Sequence, residues 1–231
     1  MTTAILVAAG RGTRMGPNVD KLFLEVAGDP VVAHTWRTLD SFAGIDEIII
    51  VVRSGMEEAF AQIARERNFR KAHRFVHGGR ERQDSVWNGL SGLNPASEIV
   101  AIQDGARPCT STELIEATIA AARETGAAVA AQPVTDTIKE SADGKFISRT
   151  VDRSRLWSVQ TPQTFRVDVI RRALTEVRQR GMLVTDDTAA CELIGQPVQL
   201  VTGTKPNPKV TVRADLPLVE SVLAGVNRPG V

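Results

Sequence analysis

The sequence predicts an α/β fold with a mainly parallel sheet and a protruding β-hairpin arm. Three observations carry that prediction. Short apolar runs alternate with helical patterns at regular intervals, which is the signature of βαβ units. The first of these runs opens directly into a glycine-rich turn. A long polar stretch near residue 140 interrupts the rhythm only once. At 231 residues the length suits one domain with a substantial core, so residues 1–231 are read as a single unit.

Thr3-Ala4-Ile5-Leu6-Val7-Ala8 is short and apolar throughout, as in a strand buried on both faces. A helix is expected over 30–42, with Pro30 in the first helical position. A strand at 47–52 follows, then a helix at 56–68. A short strand at 73–76 ends at Gly78-Gly79 and leads to a helix at 82–93. The fourth strand, 99–103, ends at Asp104, and Ser111 is placed to cap a helix over 112–124. The fifth strand is 127–131. Residues 136–151 then read as a hairpin turning at Asp143-Gly144, within an arm of 136–155. Such a two-stranded ribbon is marginal alone and must pack on its own core or on a second subunit. Helices at 167–180 and 186–194, strands at 198–201 and 209–212, and a helix at 214–223 complete the chain. No internal repeat or low-complexity tract is present.

The segment Ala8-Ala9-Gly10-Arg11-Gly12-Thr13-Arg14-Met15-Gly16, followed by Lys21, joins glycines and cations to the end of a strand. Glycine tolerates positive φ and lets backbone N–H groups approach a ligand, so such a loop can cradle a triphosphate. A plain glycine turn with solvated arginines is the alternative. A Walker loop is excluded, because no GxxxxGK[ST] string occurs. The dinucleotide fingerprint fits poorly: the spacing is GxGxxxG, and the second strand ends in Arg53 where an acidic residue would hold a ribose.

Charge and cysteines narrow the class. Lys and Arg number 28 against 27 Asp and Glu, for a net charge of +1, which argues against a nucleic-acid partner. Cys109 and Cys191 are too sparse for a disulfide framework and lack zinc spacing. No apolar run approaches the length of a membrane helix, and a cytoplasmic location is expected.

Further strings sit at strand ends, where open sheets of this type bind ligands. Gly78 to Ser85 joins a strand to a helix; it is either an ordinary connection or a backbone surface that reads a nucleobase edge. Asp104-Gly105-Ala106-Arg107-Pro108 places an acid and a base past a buried strand. Asp104 there either forms an internal ion pair or stands near a magnesium ion or its water shell. Thr161-Pro162 and Thr185-Asp186 are equally readable as a turn and a helix cap.

Taken together with the glycine loop, DGARPC (104–109), TVDR (150–153), TPQTF (161–165), VTDD (184–187) and NPKVT (207–211) resemble the 2-C-methyl-D-erythritol 4-phosphate cytidylyltransferase family, from residue 4 to about residue 223. The resemblance implies a Rossmann-like, nucleotidyltransferase-type sheet, an arm that interlocks two subunits, and transfer of CMP from CTP to methylerythritol phosphate with Mg²⁺, releasing pyrophosphate. It also implies residue roles. Arg14 and Lys21 stabilise the transition state, while Arg153 and Lys209 position the sugar phosphate. Ala8, Ala9, Gly10, Gly12, Thr13, Gly78, Gly79, Ser85, Asp104 and Gly105 join Arg14 and Lys21 around the nucleotide. Asp104, Arg107, Thr137, Thr161, Thr185 and Asp186 line the acceptor with Arg153 and Lys209, Thr137 and Arg153 coming from the partner chain. Gln103 and Gly105 stand where the family commonly has His and Ala, and Arg80 where an acidic residue is frequent.

The residue inventory suits that chemistry on its own terms. A phosphomonoester has its second pKa near ~6, so the attacking oxygen is already ionised at neutral pH and needs no general base. Positive charge and positioning must supply the rate. Competing readings are cytidylyl transfer to another polyol phosphate such as ribitol 5-phosphate, a nucleotide-binding regulatory module, and a nicotinamide oxidoreductase.

Overall fold

In the computed structural model, which describes residues 1–10, 12 and 20–226, a seven-stranded sheet forms the centre. Strand β1 (Thr2–Val7) is followed by a two-residue hairpin, β2 (Glu25–Val26) and β3 (Asp29–Pro30), and by α1 (Val31–Ser41). Then come β4 (Glu47–Val52), α2 (Glu57–Glu66), β5 (Ala72–His77), α3 (Arg82–Ser91), β6 (Ile99–Asp104), α4 (Thr112–Thr125) and β7 (Ala127–Pro133). The arm contributes β8 (Ile138–Glu140) and β9 (Arg149–Val151), after which β10 (Trp157–Arg166), α5 (Val167–Gln179), α6 (Asp187–Leu193), β11 (Gln199–Val201) and α7 (Leu216–Val226) complete the order.

The sheet runs β11-β7-β10-β6-β1-β4-β5. Among its described strands only β10 is antiparallel, pairing with β6 on one side and β7 on the other. Strands β1, β4 and β6 lie at the centre and are buried almost throughout. Successive side chains of a strand point to opposite faces, and the core divides accordingly. Ala4, Leu6, Ile48 and Ile50 pack with Trp36, Phe60, Ile119 and Val219 on one face. Ile5, Ile49 and Val51 pack with Leu90, Phe165, Ile170 and Leu174 on the other. Helices α1, α2, α4 and α7 therefore cover one side and α3, α5 and α6 the other.

Local chemistry sets several boundaries. The Ser111 side chain accepts from Leu114 N–H at 3.3 Å, capping α4, and Gly126 ends the helix with φ +93°, a left-handed conformation that favours glycine. Asp84 accepts from the Glu81 N–H at 3.1 Å at the start of α3. The amphipathic α5 buries Val169, Ile170, Ala173, Leu174 and Val177, the spacing of one helical face.

Four expectations are corrected. Pro30 precedes α1, with ψ 140°, rather than forming its first turn; it belongs to the β2–β3 hairpin, whose two-residue strands are too short for any periodic pattern. The arm hairpin exists but is shorter than expected, with Ile138 opposite Val151 and Glu140 opposite Arg149. Asp143 accepts from the N–H groups of Lys145 and Phe146 at 2.8 and 3.0 Å, and this local competition for the backbone keeps 145–147 out of the ladder. Strand β10 was not anticipated, because Pro162 within a polar run argues against a central strand. Here the Thr161-Pro162 bond is cis and the pairing with β7 shifts register between Val159 and Gln163. Finally, 209–212 is not a strand. Val210 N–H donates to Ala106 O at 2.8 Å, while Thr211 and Val212 N–H both donate to the Asp215 carboxylate, so this segment crosses a loop instead of joining a sheet edge.

Candidate active site

The site lies at the carboxyl ends of β1, β5 and β6. Pairing at β1 continues one residue past the strand, with Ala8 N–H donating to Val51 O at 2.8 Å. Beyond it Arg53, immediately after β4, donates from Nη1 to Gly10 O at 2.9 Å and pairs through Nη2 with Asp20. One guanidinium thus ties together the two ends of the glycine loop. Gly12 has φ +62°, and a Cβ there would lie 3.2 Å from Lys21 Cγ. Thr13 and Arg14, together with Arg11 and Gly16 of the same motif, lie outside the described residues.

Lys21 begins a short 3-10 turn, Lys21–Phe23, whose Leu22 N–H is capped by the Asp20 carboxylate at 3.1 Å. Its side chain is buried and its Nζ donates to Val210 O at 2.9 Å. That carbonyl belongs to the residue after Lys209. The first loop is in this way anchored to the segment that carries the second expected lysine.

At the end of β5 the glycines are required by space. A Cβ on Gly78 would sit 2.3 Å from Ala9 Cβ and 3.0 Å from Ser85 Oγ, and one on Gly79 would sit 2.2 Å from Asp84 Cβ. The residues expected at the nucleotide, Ala9, Gly78 and Ser85, therefore meet. The Ser85 hydroxyl accepts from Gly79 N–H at 3.1 Å and donates to Glu81 O at 3.2 Å, which shapes the loop itself. Gly105 is equally confined: a Cβ would approach Val7 O at 3.2 Å, and the Gly105 N–H donates to that carbonyl at 3.0 Å.

Asp104, the last residue of β6, stands at the centre of a charge cluster. One carboxylate oxygen accepts from Lys209 Nζ at 2.5 Å and the other lies 3.4 Å from Arg82 Nε. The Asp104 N–H donates to Thr161 Oγ1 at 3.1 Å. Burial alone would raise this carboxyl, but Arg82 and Lys209 outweigh it and hold it at about 2. Arg82 also donates to Asp187 Oδ2 at 2.7 Å, and Asp187 is pushed upward by burial against the pull of that arginine. Arg107 is 9% exposed, donates from Nη1 to Asn207 O at 2.7 Å, and keeps a buried Nε without a partner.

Asp104, Arg107, Thr161, Thr185, Asp186 and Lys209, read as acceptor-side residues from the sequence, all line one cavity of about 170 Å³. A neighbouring hollow of about 570 Å³ shares Arg107 and Lys209 with it. Thr137 and Arg153 are exposed residues of the arm region and are not among the residues lining either hollow. Arg82, Asp187, Gln163 and Asn207 stand within strings singled out in the sequence but had no individual role assigned. Gln163 bridges Asp186 Oδ2 and Asp187 N–H at 2.9 and 3.0 Å, and because β10 is not evident from the sequence, no local signal marked it.

Asp104 is poorly suited to hold a metal directly, since both of its oxygens already face cations. Among the described residues no group of three His, Cys, Asp or Glu side chains is placed to hold a metal ion. Cys109 and Cys191 are unpaired and buried, and burial pushes their thiols up to about 11 and about 12, which makes both unreactive. No described helix is long and apolar enough to cross a membrane.

A glycine loop on β1, a confined strand-end loop on β5 and a cation-lined pocket beyond β6 define an enzyme of the nucleotidyltransferase class. Comparison with known proteins is specific. The family model "IspD: 2-C-methyl-D-erythritol 4-phosphate cytidylyltransferase" matches residues 2–225, and the chain belongs to that family. A protein of this name from Pelotomaculum thermopropionicum is 44% identical over 221 residues, 95% of this chain and 93% of the relative. The solved 4-diphosphocytidyl-2C-methyl-D-erythritol synthase of Anaerococcus prevotii superposes with a TM-score of 0.84 at 33% identity, covering 96% of each chain. The 2-C-methyl-D-erythritol 4-phosphate cytidylyltransferase of Thermus thermophilus gives 0.80 at 30% identity, over 97% of this chain and all of that one.

Proposed function

We propose that this chain transfers CMP from CTP to 2-C-methyl-D-erythritol 4-phosphate, giving 4-diphosphocytidyl-2-C-methyl-D-erythritol and pyrophosphate in non-mevalonate isoprenoid synthesis. The observation that carries the reading is the cavity in which Lys209 and Arg107 flank Asp104, beside a segment anchored by Lys21. Two cations lining one pocket suit a phosphate dianion.

In the proposed reaction an oxygen of the acceptor phosphate attacks the α-phosphorus of CTP. A P–O bond forms there as the bond to the pyrophosphate oxygen breaks, and the electron pair leaves with pyrophosphate. The acceptor is already ionised at neutral pH, so no proton need be removed. Lys21 and Arg14 stabilise negative charge building on the α-phosphoryl oxygens. Lys209 and Arg107 hold the acceptor phosphate and offset its repulsion by the triphosphate. Ala8, Ala9, Gly10, Gly12, Thr13, Gly78, Gly79, Ser85, Asp104 and Gly105 form the nucleotide side, and Thr161, Thr185 and Asp186 the acceptor side. Thr137 and Arg153 complete that side from the arm of a partner subunit, in a homodimer built through 136–155 around a single cytidylyltransferase domain. A bound Mg²⁺ would offset charge on the triphosphate, with Asp104 the residue that would stand near it through water. Two unpaired cysteines fit a cytoplasmic setting.

Pyrophosphate release is the test. It should require both CTP and methylerythritol phosphate, fall sharply with UTP, and be weak with ribitol 5-phosphate. A purified chain that releases none with CTP and methylerythritol phosphate refutes the reading; preference for ribitol 5-phosphate would reassign the acceptor.

A further inference from the structure

We infer that Asn207 is the positioning residue of the acceptor pocket, fixing Lys209 and Arg107 relative to Asp104; the inference rests on the functional reading above. Asn207 is 5% exposed, its side-chain amide is taken up by protein partners, and it sits where the loop after β6, strand β10 and the segment after β11 meet. Its Nδ2 donates to Thr161 O at 2.8 Å and to Gln160 Oε1 at 3.1 Å. Its Oδ1 accepts from Thr110 Oγ1 at 2.9 Å, and its main-chain carbonyl accepts from Arg107 Nη1 at 2.7 Å.

Both amide donors are thus used, on oxygens that cannot donate in return at Thr161, and this fixes which way the amide faces. The network runs deeper. Gln103 Nε2 donates to Thr110 Oγ1 at 2.9 Å, and Thr110 Oγ1 also lies 3.0 Å from Arg107 O. Asn207 therefore couples the loop after β6 to strand β10, and within this network only Gln103 Oε1 and Arg107 Nε are buried without a partner. Two residues later Lys209 reaches Asp104, and Val210 is fastened to Ala106 and to Lys21 on either side. The segment has no sheet partner to hold it, since 209–212 is not a strand. Asn207 supplies the register that a strand ladder would otherwise give.

Steady-state kinetics of Asn207→Ala decide the matter. The KM for methylerythritol phosphate should rise about tenfold, the usual consequence of breaking a buried hydrogen-bond set, while the KM for CTP stays within about twofold. In the Lys209→Ala background the same substitution should add only about twofold to threefold, because its effect passes through Lys209 and Arg107. Should Asn207→Ala not accumulate as folded protein, Thr110→Val, which removes the hydroxyl that meets Oδ1, is judged by the same KM split. Equal rises in both KM values, an unchanged acceptor KM, or a full tenfold added effect without Lys209 would overturn the inference alone. A wild-type chain with no transfer activity overturns the functional reading and this inference with it.

Discussion

Asp104 has Lys209 on one oxygen and Arg82 near the other, and this makes its ionisation a stability term as well as a feature of the site. Its folded value of about 2 is below the usual unfolded value near ~3.9. The stabilisation is therefore present above about pH 4 and is lost as pH falls toward about 2, amounting to roughly 2–3 kcal/mol. Asp187 acts with the opposite sign, because burial raises it. Acid unfolding followed by circular dichroism should be steep between about pH 4 and 2 and flatter in Asp104→Asn. Lys21→Ala should retain the fold and lose on the order of 10²–10³ in kcat; turnover equal to wild type would remove Lys21 from the chemistry. Asp104 and Arg107 of DGARPC were legible because they stand at or just past the end of a buried strand, and Lys209 of NPKVT only through the resemblance its string carries. Arg82 and Asp187 were not, since nothing in a linear sequence states which of many scattered acids meets which arginine across 105 positions.

The parallel strands and their helices were readable one by one, because β1, β4 and β6 each hold four or five consecutive apolar residues and α4 carries its own cap and terminating glycine. Strand β10 was hidden for the converse reason. It lies in the middle of the sheet, yet it is interrupted by Pro162 and carries Gln and Thr, whose polarity is absorbed by partners from β6 and the 185–188 region. The β5–α3 connection gives a sharp prediction at this scale. Gly78→Ala places a methyl group 2.3 Å from Ala9 Cβ, so the two nucleotide-side loops must separate. The KM for CTP should rise about tenfold or more, with a smaller change in the acceptor KM. An unaltered CTP KM would show that these loops tolerate displacement.

The arm projects Phe146 and Ile147 at 77% and 66% exposure, an apolar tip on an otherwise polar ribbon whose paired strands are three residues each. Such a ribbon is marginal in water without something to pack on. In the proposed homodimer a second copy supplies that surface. Deleting 138–151 and bridging the ends with a short glycine linker should convert a dimer to a monomer by analytical ultracentrifugation and lower transfer by at least about tenfold. A deletion variant that remains dimeric and active would assign the arm another task.

Because β10 runs against both of its neighbours in the central sheet, its beginning at Trp157 lies opposite Pro133, the closing residue of β7. The ribbon consequently leaves and re-enters the molecule on the same rim that bears Asp104 and Thr161. A grip on the ribbon from outside pulls on the wall of the pocket, since Thr161 is only a few residues along the same strand and touches Asp104 directly. In the proposed homodimer, subunit association and acceptor recognition then share one mechanical element. Dilution below the dissociation constant of the pair should weaken affinity for the sugar phosphate before it disturbs affinity for the nucleotide.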